Sequence, residues 1–244
     1  MLAIVVGVGL AAYLTIHPTQ PWILYLVAGL AALAVDGLVR SNPQWHTGGM
    51  LASLVFLFLP VLTVIGAGLF IDEAIAGQAR LLTAAGGAAA VGIVAYGEYH
   101  TVDYGSKLYG PMRLALAVAT YLAAFALYTV IFTRHVSLPL AAVLVGAVSL
   151  ALAMELLRES RLLGPSSLLV GVAIGVSVAE LRLALYYFPL DGLLAGALLI
   201  IGFYLATGLV HHLQDHDLEW GTTAEYLLVS AVGTAAVVVA RAFV

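Results

Sequence analysis

The chain has 244 residues, 63% of them hydrophobic and only 9% charged, with a formal net charge of -4 at pH 7. A soluble domain carries about 25% charged residues, so this composition excludes a wetted surface and makes lipid the solvent. Cysteine is absent, which excludes disulfides, thiolate metal sites and cysteine nucleophiles, and there is no basic tail or stripe of the kind nucleic acid requires.

Apolar runs of about 17–25 residues mark bilayer spans. They place helices near 2–17, 21–40, 49–71, 80–97, 112–133, 138–157, 166–188, 191–212 and 223–243. The expected fold class is all-α: a polytopic integral membrane helical bundle of eight to nine transmembrane helices with short loops, forming one domain over 1–244. The opening run, MLAIVVGVGLAAYLTIH, lacks a charged leader region and a small-residue cleavage site, so it reads as a first helix rather than a signal peptide. At about 16 residues it falls short of the ~20 needed to span, which leaves the count at eight or nine.

Punctuation falls between the runs. His17-Pro18-Thr19-Gln20-Pro21 forms a tight connection, and Ser41-Asn42-Pro43 with Gly48-Gly49 brackets the next loop. Pro60, inside the third helix, removes one backbone hydrogen bond and is expected to kink it. Tyr104-Gly105 and Gly110-Pro111 are placed in the longest loop, and Ser137-Leu138-Pro139 and Gly164-Pro165-Ser166 supply a cap or proline at helix starts. Thr222-x-x-Glu225 reads as a capping box opening the last helix.

Small residues gather in helix 4 (Ala84 to Ala90), in helix 7 (Gly171-x-x-x-Gly175) and in helix 8 (Gly192-x-x-x-Gly196). At one-turn spacing they let backbones approach within one bundle, or across the face of a homo-oligomer. Lys and Arg favour the loops after even-numbered helices (Arg40, Lys107, Arg113, Arg158, Arg161) over the other side (Arg80, Arg134, Arg241). That bias puts the N-terminus inside, with a prokaryotic cytoplasmic membrane as the expected setting.

Ionisable residues within the spans are the candidate chemistry. Helices 2, 4, 6 and 8 run in one direction, and their C-terminal ends carry Asp36, then Glu98 and His100, then Glu155, then His211, His212, Asp215 and His216. His211 with Asp215, and His212 with His216, are i,i+4 pairs sharing a helical face. Carboxylates and imidazoles at one depth can bind a divalent metal, relay protons or recognise a cation. The plainer reading of Asp36 with Arg40, and of Glu155 with Arg158, is an intrahelical ion pair. Glu180 lies about 14 residues, ~21 Å, into its helix at 1.5 Å per residue. A carboxylate there needs a partner, a proton or a wet cavity. Arg182, two positions on, faces elsewhere; it needs a partner from another helix or snorkels to the interface.

No Lys lies in a span, so a retinal Schiff base has no attachment point, and there is no Gly-rich phosphate loop, nucleophile elbow or His-Glu-x-x-His. Three functions compete, and whether the chain is an enzyme stays open. The first is a small transporter or ion- or proton-translocating protein using Glu180, with Arg182 beside it, and the Asp36/Glu98/Glu155 end. The second is a membrane-embedded enzyme acting on a lipid or isoprenoid, with a divalent metal held by His211, His212, His216 and Asp215. The third is a non-catalytic subunit whose polar groups only lock helix packing.

Overall fold

The computed structural model describes residues 1–16, 19–45, 50–134, 136–158, 165–214 and 220–242. Among them are nine α-helices and no strand: α1 Leu2–Thr15, α2 Pro21–Arg40, α3 Met50–Ala74, α4 Ala79–His100, α5 Tyr109–Thr133, α6 Leu138–Leu157, α7 Pro165–Leu185, α8 Gly192–Gln214 and α9 Trp220–Arg241. Eight are long and apolar enough to cross a membrane, and α1, with 14 residues, is the short one. The chain is a membrane-spanning helical bundle. Lipid supplies no water to unpaired backbone groups, so helices that satisfy their own N–H and C=O groups are the economical way for such apolar runs to cross.

Contacts fall into two compact units, 1–126 and 127–244, with the boundary inside α5. In the first unit Val6, Leu10 and Tyr13 of α1 pack with Leu24 and Val27 of α2, Val64 and Ile71 of α3, and Ala88 and Val91 of α4. The helices sit close because a side chain on Gly9 would meet Val27 and one on Gly68 would meet Leu24. α3 runs unbroken through Pro60. Its end is tied to the next helix by Arg80, whose Nε donates to the Ile75 carbonyl at 2.7 Å and whose Nη2 donates to the Asp72 carbonyl at 2.9 Å. Asp72 is in the last turn of α3 and Ile75 directly follows it, where carbonyls have no intrahelical N–H donors of their own. Gly77, at φ 66°, makes the turn between them in a conformation that a Cβ would oppose.

The second unit holds the end of α5 with α6 to α9. α6 and α7 run antiparallel at backbone contact: a Cβ on Gly175 would sit 2.7 Å from the Gly146 carbonyl oxygen, and one on Gly171 would meet Leu150 and Met154. Gly192 and Gly196 of α8 lie against Thr133 and Thr129 of α5 in the same way. These two glycine motifs are thus covered from within the unit. A buried hydrogen-bond chain adds specificity: Tyr128 donates to Ser149 Oγ at 2.6 Å, and Ser149 donates to the Val145 carbonyl at 2.7 Å. α9 packs chiefly on α8, where Tyr226 stacks on Tyr204, and most of its surface is exposed.

Several boundaries differ from the sequence reading. Gly110 and Pro111 lie in the first turn of α5 rather than in the loop, since Pro is tolerated where the N–H has no helical partner. α9 spans Trp220–Arg241, so Thr222 is already inside the helix rather than at its start. His17, Pro18, Gly48, Gly49 and Gly164 lie outside the described residues.

Candidate functional site

In the first unit the C-terminal ends of α2 and α4 meet. Val35 and Val39 pack with Ala95, and Asn42 donates from Nδ2 to the Tyr99 carbonyl at 2.8 Å. Two acidic residues of the sequence reading stand at these ends in different states. Asp36 is partly exposed and pairs with Arg40 at 2.8 Å, the intrahelical bridge its i,i+4 spacing allows. Glu98 has no exposed surface at all. His100 lies edge-on to the rings of Tyr96 and Tyr99, at 4.4 and 5.2 Å between centroids. Arg113, near the start of α5, is also buried, which the sequence reading had treated only as a loop charge. An apolar cavity of about 460 Å³ between α3, α4 and α5, lined by Ala67, Ala90, Ile93 and Leu114 among others, has no charged group in its wall among the described residues.

In the second unit Glu155 is fully buried, and Arg158, the residue that caps the C-terminal end of α6, reaches it at 3.2 Å. The pair is intrahelical, as the i,i+3 spacing anticipates, yet it is buried rather than interfacial. α7 then separates its two ionisable residues. Glu180 is exposed, on the stripe that carries Val176, Ser177 and Leu183; Arg182 is 5% exposed, on the stripe of Gly171, Gly175, Val178 and Leu185. The register follows from ~100° per residue: Arg182 is seven positions beyond Gly175 and returns to within about 20° of it, whereas Glu180, five beyond, is about 140° away. A cation on the glycine stripe must point where that stripe points, and this was the available signal that Arg182 turns in rather than snorkelling out.

Arg182 stacks on Phe132, its guanidinium carbon 4.3 Å from the ring centroid. Its Nε and Nη1 are buried without a hydrogen-bond acceptor among the described residues. Beside it is a cavity of about 630 Å³, open on one side, whose wall includes Thr133, Ser137, Tyr186 and Asp191. Neither Ser137, Tyr186 nor Asp191 was singled out from sequence for this role, because the wall joins the end of α5, the start of α6 and the α7–α8 connection.

His211 and His212 are half-buried, with ring centroids 5.8 Å apart, and the Tyr226 hydroxyl lies 3.5 Å from His212 Nε2. Asp215 and His216, the remaining proposed metal ligands, lie outside the described residues. Among the described residues no group of three or more His, Asp or Glu is placed to hold a metal ion.

No curated protein and no solved structure matches the chain. A family model described as "Protein of unknown function (DUF5656)" matches residues 3–240, so nearly the whole helical bundle is covered and the chain belongs to that family.

Proposed function

We propose that the chain is a small transport protein that moves a proton or an ion across the membrane through ionisable groups carried inside its helices. The supporting observation is Glu155, a carboxylate with no exposed surface inside an apolar span, 3.2 Å from the buried Arg158 just beyond the end of that span. Taking both charges out of water costs several kcal/mol per ion, and a well-packed hydrophobic pair would hold the helix at least as well. Such a pair fits residues kept for their charge, and intramembrane ionisable groups commonly mark ion and proton pathways.

In this reading Glu155 exchanges its Arg158 partner for a proton or a transported cation. Gly146 faces Gly175 in the antiparallel α6–α7 pair, so Glu180 lies level with a point about 14 residues before Glu155, or ~20 Å along the axis at 1.5 Å per residue. Glu180 and Arg182 then serve the opposite end of the path from Glu155. Glu98 and Asp36 are the corresponding stations of the first unit. The Lys/Arg bias assigns the Glu155 end to the inner side, with the N-terminus inside.

The test is proton and cation flux into proteoliposomes under an imposed gradient, comparing wild type with Glu155→Gln and Glu180→Gln. The reading expects flux in wild type and its loss in Glu155→Gln with the fold retained. Wild-type rates in Glu155→Gln sink it, and wild-type rates in Glu180→Gln remove Glu180 from the path.

A further inference from the structure

Arg182 is a cation with an incomplete environment. It is 5% exposed on the packed side of an apolar helix, and two of its nitrogens have no acceptor among the described residues. A guanidinium does not escape burial by losing its proton, as a buried carboxyl or lysine can avoid its charge. The face of Phe132 attracts the charge but takes no N–H hydrogen bond in this stacked arrangement. Asp191 stands in the same cavity wall and forms no ion pair with Arg182; one of its oxygens accepts the Leu194 N–H at 2.8 Å, capping α8.

The rest of the wall supplies donors. Ser137 occupies the N-cap of α6 without making a side-chain cap bond, so the positive end of that helix is open at the cavity. The hydroxyls of Ser137 and Tyr186 have no partner among the described residues. A planar guanidinium, a helix start and two hydroxyls, arriving from three segments of chain, surround a tetrahedral oxyanion better than a flat carboxylate.

We propose that this cavity binds a phosphate-type oxyanion, with Arg182 as the charge and Ser137, Tyr186 and the start of α6 as further donors. The cavity sits where α7 ends and where α6 and α8 begin, at the end of three spans. Both a free phosphate ion and the phosphodiester of an anionic lipid headgroup have the required chemistry at that level.

The site is tested on the full chain in neutral detergent by the shift of its thermal unfolding midpoint. One arm titrates inorganic phosphate against chloride at matched ionic strength. The other adds phosphatidylglycerol mixed micelles against phosphatidylcholine. A saturable shift with phosphate identifies the free ion as sufficient; a shift with phosphatidylglycerol alone identifies the headgroup. Arg182→Gln is expected to weaken the responding probe by about tenfold or more, the loss of a charge-assisted fork. Arg241→Gln, at an exposed position near the end of α9, leaves it unchanged. Asp191→Asn keeps an acceptor for the Leu194 N–H, removes the competing charge, and is expected to tighten binding by about threefold or more. No saturable shift in wild type with either probe overturns the proposal, as does an equal shift in Arg182→Gln. Should Arg182→Gln fail to fold, Asp191→Asn decides: tighter binding supports the site, and unchanged or weaker binding overturns it.

Discussion

The guanidinium carbon of Arg182 lies 4.3 Å from the centroid of the Phe132 ring, so a cation of α7 rests on an aromatic face supplied by α5. Such contacts contribute about 0.5–2 kcal/mol, the upper end when desolvated. Phe132→Leu keeps most of the apolar bulk and discards the ring face. It should lower stability by about 1–2 kcal/mol in a denaturant titration, whereas Phe132→Trp should retain or exceed the wild-type contact with the charge. Equal midpoints for Phe132→Leu and wild type would show that Arg182 is held by something else.

The glycines of the spans are not interchangeable. A Cβ on Gly175 would stand 2.7 Å from the Gly146 carbonyl oxygen, and backbone cannot step aside as a side chain can. Gly175→Ala should therefore destabilise by about 1–3 kcal/mol through overpacking. Gly86 has nothing within 4 Å of its would-be Cβ, and Gly86→Ala should be neutral or stabilising by up to about 1 kcal/mol through helix propensity. Parallel thermal melts of the two variants check the contrast.

The Tyr128–Ser149–Val145 chain is directional, and the two ends respond differently to deletion. Tyr128→Phe removes one donor and leaves Ser149 bonded to the Val145 carbonyl, for a loss of about 1 kcal/mol. Ser149→Ala leaves a buried tyrosine hydroxyl without its acceptor and should lose about 1–3 kcal/mol. Unfolding titrations that rank Tyr128→Phe as the more damaging change would contradict this order of donation.

Burial of Glu155 beside Arg158 sets up a separation between stability and flux. Glu155→Gln keeps the volume but leaves the enclosed Arg158 charge without its carboxylate, so its unfolding midpoint should fall, by the equivalent of about 3–5 kcal/mol, and flux is therefore compared per folded molecule. Transport through this position needs the ionisable carboxyl, so flux in proteoliposomes should fall on the order of 100-fold, the scale of losing a positioned acid–base group. A variant that melts early and transports normally per folded molecule would assign Glu155 to packing alone.

Much of this architecture is legible from hydropathy. Spans are long, and lipid forces the backbone to be helical across them, so the run 138–157 maps onto α6 residue for residue. Ends are harder to read, because local signals compete with tertiary ones. α3 continues to Ala74 past Asp72 and Glu73, polar residues that the hydropathy reading leaves outside, since Arg80 accepts the task of binding the last carbonyls. Asp36, Glu98, Glu155 and Arg182 are visible in sequence as charges among apolar neighbours. Which of them is enclosed depends on the face each occupies, and for α7 the glycine stripe carries that information. The Arg182 cavity is not legible, because its wall draws on stretches near 132–138 and 182–192 that no local pattern connects.

α9 has one principal neighbour, α8, and leaves most of its surface to lipid. Acyl chains are as apolar as its own valines and alanines, so undocking this helix exposes little that lipid cannot solvate. The order of biosynthesis follows from that. The upstream helices of the second unit can close on one another while α9 is still entering the bilayer, so its docking, with Tyr226 against Gly208, need not precede theirs.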